Sequence, residues 1–133
     1  MLVFDPVFEE VELTGSAAEL ARLAGAVAEG AGFIGSAPVA VPDRETLAGV
    51  EVGEAHGPGV AIRLDSPRRV LVISGDPAAR ARFADNLAAM TAAMTDETGG
   101  GHRHVEHFPG HPYLAEGSVP LVVGVPTEGP PGG

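Results

Sequence analysis

Val60-Ala61-Ile62-Arg63-Leu64-Asp65-Ser66-Pro67-Arg68-Arg69-Val70-Leu71-Val72-Ile73-Ser74-Gly75-Asp76-Pro77 holds two strand patterns and a helix start in succession. Val60, Ile62 and Leu64 alternate with Ala61, Arg63 and Asp65, the period-2 signature of a half-buried strand. Ser66-Pro67 turns the chain, and Val70 to Ile73 is apolar on both faces, which places that second strand centrally in a sheet. Gly75-Asp76-Pro77 then opens a helix: aspartate caps free N–H groups, and proline fits the first turn, where its missing donor costs nothing. Phe83, Leu87, Met90 and Met94 recur at helical spacing and predict a stripe packed in the core rather than an adaptable methionine surface. Arg80, Arg82 and Asp85 fall off that stripe and are expected in solvent. A hairpin feeding a helix is the unit from which the fold is read.

The same order of elements stands upstream. Val7-Phe8-Glu9-Glu10-Val11-Glu12-Leu13 alternates and reads as a strand, with Val7, Val11 and Leu13 on one face and Phe8, Glu10 and Glu12 on the other. Ser16-Ala17-Ala18-Glu19 matches a capping box, and Leu20, Leu23, Ala24, Val27 and Ala28 continue as an apolar helical stripe until Gly30 and Gly32. Between the two units, Phe33-Ile34 and Val39-Ala40-Val41 look extended but are interrupted by Pro38 and Pro42, which predicts one or two short strands. Leu47 to Val52 adds another, followed by a turn at His56 to Gly59. Val119 to Val125 supplies a last strand. The sum is an α+β fold, with two helices packed on one face of a mainly antiparallel sheet of about five or six strands. Residues 1–126 form a single domain and the Pro/Gly tail 127–133 is disordered by composition. The sheet face carrying Glu10 and Glu12 is left for solvent or a partner.

Composition limits the chemistry. The 133 residues carry a formal charge of −10, lack cysteine and tryptophan, and draw all eight basic residues from arginine. Thiol nucleophiles, disulfides, thiolate metal sites and lysine chemistry are therefore excluded. So much negative charge repels phosphates and argues against a nucleic-acid reader, while a basic protein is attracted. Glu9, Glu10 and Glu12 concentrate part of the excess. No apolar run approaches a membrane span, and Met1 to Asp5 lacks the charged start of a signal peptide, so a cytoplasmic location is expected.

Four of the five histidines lie within Gly101-His102-Arg103-His104-Val105-Glu106-His107-Phe108-Pro109-Gly110-His111-Pro112-Tyr113. If 102–108 is extended, His102, His104 and Glu106 project from one face. Three chemistries suit that arrangement. The imidazoles could sit on an exposed sheet face bonded to carboxylates such as Glu10 or Glu12. They could form, with Glu106, His111, Tyr113 and Glu116, a patch for a protein partner, where each ring adds area and a hydrogen bond. Or His102 and His104, joined by Glu106 or His111, could hold zinc in a small metal-binding protein or hydrolase. Two prolines and a glycine make 108–113 a turn, so 102–125 is a long hairpin whose loop exposes His111, Tyr113 and Glu116. Ser118 has no nucleophile elbow around it, which argues against a serine hydrolase.

Over residues 71–122 the sequence resembles small actinobacterial immunity proteins that accompany polymorphic toxins. The resemblance rests on Ile73-Ser74-Gly75-Asp76-Pro77, on His102-Arg103-His104-Val105-Glu106, on Pro109-Gly110-His111-Pro112-Tyr113-Leu114 and on Ser118-Val119-Pro120-Leu121. It implies a compact α+β protein that neutralises a cognate toxin by binding it, without catalysis and without a cofactor. Its acidity would suit a basic toxin, and an exposed sheet edge would allow a homodimer.

Overall fold

The computed structural model describes residues 2–36, 42–55, 57–96 and 101–125. Val39-Ala40-Val41, His56 and the tail from 127 lie outside them. Nine strands and two helices run in the order β1 (Leu2–Asp5), β2 (Glu10–Thr14), α1 (Ala17–Glu29), β3 (Gly32–Gly35), β4 (Glu45–Thr46), β5 (Gly49–Glu54), β6 (Val60–Asp65), β7 (Val70–Gly75), α2 (Pro77–Asp96), β8 (Gly101–Val105) and β9 (Leu121–Val125).

The α+β class and the two helices packed on sheet are as expected, and five of the seven strand pairings are antiparallel. The strands, however, are divided between two sheets, ordered β4-β1-β2-β9-β8 and β3-β5-β7-β6. The division follows from two parallel pairings, β2 with β9 and β5 with β7. Each brings together segments far apart in the chain, which local periodicity does not reveal. As predicted, β6 and β7 form a hairpin and β7 is central.

Side-chain alternation turns one face of each sheet inward. Val11, Leu13, Val105, Leu121 and Val123 come from the first sheet, and Val50, Val52, Ile62, Leu71 and Ile73 from the second. They share one core with Leu20, Leu23 and Val27 of α1 and with Phe83, Leu87 and Met94 of α2. The helices pack on each other; α1 also touches β3 and β5, while α2 reaches β6 and β7 of one sheet and β8 and β9 of the other. Ala28, read as part of the α1 stripe, is exposed.

Local chemistry sets the element ends. Ser16 Oγ accepts the Glu19 amide and Glu19 Oε1 accepts the Ser16 amide, so the capping box forms and holds the Glu19 carboxyl below its ordinary range. Gly30 ends α1 at φ +80°. Asp76 Oδ2 accepts the Ala79 amide at the start of α2 and Oδ1 accepts the Gly59 amide.

Two further sequence expectations fail. Val7 and Phe8 are not in a strand: Asp5 Oδ1 accepts the Val7 and Phe8 amides and folds 6–9 into a turn, delaying β2 until Glu10. Arg80 is not solvated but 2 % exposed. Its guanidinium donates to Gly75 O, Val27 O and Ala28 O, so it closes the carbonyl end of α1 from within the core. Arg82 and Asp85 are exposed, as expected.

Candidate partner-binding surface

β8 is an edge strand, and its alternation buries Val105 while leaving His102 and His104 exposed. The two imidazoles meet edge to face with centroids 5.6 Å apart. Register places His104 opposite Val122 and Val122 opposite Glu12, so the three project from one sheet face in a single row. His102 joins that face beside Gly124. The histidines thus share a face with the acidic residues of β2, but β9 intervenes and sets the two backbones two strand spacings, about 10 Å, apart. Glu12 is instead engaged by Arg44 at 2.9 Å, and Arg44 also reaches Asp5 at 3.3 Å.

Beyond Val105 the chain runs through Glu106 and Glu116, both exposed, to β9. His111 holds this connection in shape. Its Nδ1 accepts the Tyr113 amide at 3.2 Å and the Leu114 amide at 2.9 Å, so the neutral imidazole is the species that fits. Burial first and the His107 charge second push its pKa below the ordinary histidine value. Phe108 packs on His111 at 4.7 Å, and His111 meets Tyr113 edge to face at 4.6 Å.

Tyr113 departs from its expected exposure. Only 6 % of it is accessible, its ring stacks on Phe83 at 5.4 Å, and burial raises its phenol pKa. Pro109, Gly110 and Pro112 before it suggested a solvated turn, but the segment instead docks on β6. Val60 donates to Tyr113 O, Ala115 donates to Val60 O, and Val119 donates to Ile62 O. Ser118 belongs to the same seam: its Oγ accepts the Ile62 amide and donates to Val60 O. That leaves it a structural serine.

The six singled-out residues therefore divide. His102, His104, Glu106 and Glu116 face solvent, whereas His111 and Tyr113 shape the loop. Among the described residues no three of His, Cys, Asp or Glu gather closely enough to hold a metal ion, and His111 Nδ1 accepts two backbone amides. Sequence reasoning missed the exposed Val7 and Phe8, at 78 % and 72 %, although Asp5-Pro6 before them is a turn signal. No helix among the described residues is long and apolar enough to cross a membrane.

Residues 70–126 match the model of the Imm32 family, described as Immunity protein 32. The match runs from β7 through β9 and covers the stretch whose motifs resemble the immunity class. No curated protein and no solved structure matches the chain.

Proposed function

With the Immunity protein 32 match as premise, we propose that this chain is a noncatalytic immunity protein that blocks a cognate toxin by binding it directly, in the cytoplasm of the cell that makes both. The family match over residues 70–126 carries the proposal. The exposed His102, His104, Glu106 and Glu116 supply the chemistry: imidazoles that donate or accept, beside carboxylates that attract cations. His111 and Tyr113 contribute by holding the loop rather than by contact. A formal charge of −10 favours a basic toxin, because complementary charge speeds encounter and selects the partner.

The test is co-expression with the product of the toxin-like reading frame that this reading places beside the gene for this chain. Restored growth, together with an equimolar complex of the purified proteins, is the expected result. Protection should scale with the amount of chain, as for a blocker and unlike a catalyst. Growth that stays arrested although the chain is folded and abundant would overturn the reading.

A further inference from the structure

Four large apolar side chains stand exposed among the described residues: Val7, Phe8, Phe33 and Phe108. Sheet register gathers three of them at one end of the molecule. Asp5 lies opposite Glu10, so the turn 6–9 projects beyond the start of β2. β2 runs parallel to β9 with Val11 opposite Leu121, and β8 ends with Val105 opposite the same Leu121. The chain leaving β8 through Glu106 and Phe108 therefore points the same way as the 6–9 turn, with only β9 between them. Where the turn and that segment join the sheet, β2 and β8 stand two strand spacings, about 10 Å, apart.

Both parts are held rather than loose. Asp5, 3 % exposed, fastens the turn through the Val7 and Phe8 amides and is itself held by Arg44. Glu9 closes the turn at φ +52°, a left-handed conformation that costs a residue with a side chain. The turn thus uses backbone strain and a buried carboxylate to hold two apolar side chains in water. On the other side, Phe108 O accepts the His111 amide, and the Phe108 ring rests on the imidazole that shapes the loop. Glu9 and Glu106 are exposed and Glu10 is half-buried, so carboxylates border the apolar group.

We infer that Val7, Phe8 and Phe108, bordered by Glu9, Glu10 and Glu106, form the contact surface for a protein face with an apolar hollow edged by arginine or lysine. The inference rests on the immunity reading, in which that face belongs to the toxin. It extends the contact surface from the histidine segment to the β1–β2 turn, outside the family match. Pre-organised aromatic anchors with charged surroundings are where binding energy concentrates.

The experiment measures, by titration calorimetry, the affinity of the full chain for the product of the toxin-like reading frame that the immunity reading places beside its gene. Phe8→Ser and Phe108→Ser should each weaken binding about tenfold or more. Phe33→Ser, at a phenylalanine also more than half exposed but on β3 of the other sheet, should change it less than about twofold. Thermal unfolding close to wild type for all three variants shows that folding is not the cause. Wild-type affinity in both Phe8→Ser and Phe108→Ser would overturn the surface and leave the immunity reading intact. No binding by the wild-type chain would overturn both. A wild-type chain that sediments as a dimer, and becomes monomeric in the double variant, would show that the patch covers a second copy and would also overturn the inference.

Discussion

Arg80 shows how one side chain can fix the relation between two helices. The last carbonyls of α1 have no intrahelical donors and carry the negative end of the helix dipole. Arg80, from the first turn of α2, supplies Nη1 to both Val27 O and Ala28 O at 3.0 Å, and Nε to Gly75 O at 2.9 Å. Its remaining charge meets Glu54 at 3.6 Å. Gly30 is required twice over, since its φ of +80° suits glycine and a Cβ there would stand 2.5 Å from the guanidinium carbon. Replacing Arg80 by methionine keeps the bulk but strips three carbonyls of their partner in a dry site. Arg80→Met should therefore lower unfolding free energy by about 2–4 kcal/mol. Arg80→Lys should recover only part, because an ammonium does not reproduce the planar fork. Urea unfolding checks both, and a loss in Arg80→Met below about 0.5 kcal/mol would show that the bonds contribute little net stability.

At the scale of elements, the connection from β8 to β9 is long for a hairpin and is held by its own side chains and by β6. His111 is the part that responds to pH. Its folded pKa lies below the unfolded value of about 6.5, chiefly through burial and then through His107. Between those values the unfolded chain binds more protons, so this contribution to stability is complete above about pH 6.5 and is lost as pH falls through the folded pKa. Protonation at Nδ1 would also put a proton against the Tyr113 and Leu114 amides. Amide exchange at Tyr113 and Leu114 should therefore accelerate, relative to that of Ile73, as pH falls from about 7.5 to about 5.5 after correction for intrinsic rates. His111→Asn, which keeps an acceptor but cannot titrate, should abolish the difference; an unchanged difference in that variant would place the switch elsewhere. What the sequence reveals at this scale follows from range. The Ser16–Glu19 capping box, the Asp76-Pro77 helix start and the His102–Val125 hairpin were legible because their partners are close in the chain or follow strand alternation. Tyr113 was misread because Pro109 and Pro112 before it signal a turn, while its partner Phe83 is thirty residues upstream. Arg80 was misread for the same reason, since the carbonyls it serves on α1 are more than fifty residues away. Val7 and Phe8 fit a strand alternation that the Asp5 carboxylate overrides.

Across the whole molecule, the arrangement of charge matters more than its sum. Arg44, Arg68, Arg69 and Arg80 are paired with carboxylates of the same chain: Asp5 and Glu12, Asp65 and Glu51, Glu45, and Glu54 respectively. Glu12, read from sequence as part of a free acidic strand, is one of those consumed. The remaining excess includes Glu9, Glu106 and Glu116, which are exposed, and the first two lie at the end of the molecule that carries Val7, Phe8 and Phe108. A charge of −10 produces a field extending beyond contact distance at low salt, and salt shortens that reach to about 10 Å at 0.1 M. Association with a basic toxin should therefore be fast at low ionic strength and slow steeply with salt, while dissociation, governed by the apolar anchors, changes little. Stopped-flow mixing with the toxin that the proposed function calls for should show an association rate constant about tenfold or more lower in about 300 mM than in about 20 mM sodium chloride. Glu9→Gln with Glu106→Gln should reduce that salt dependence without accelerating dissociation by more than about twofold. An association rate that ignores salt would mean that the partner presents no basic face, and the acidity of this chain would then serve solubility alone.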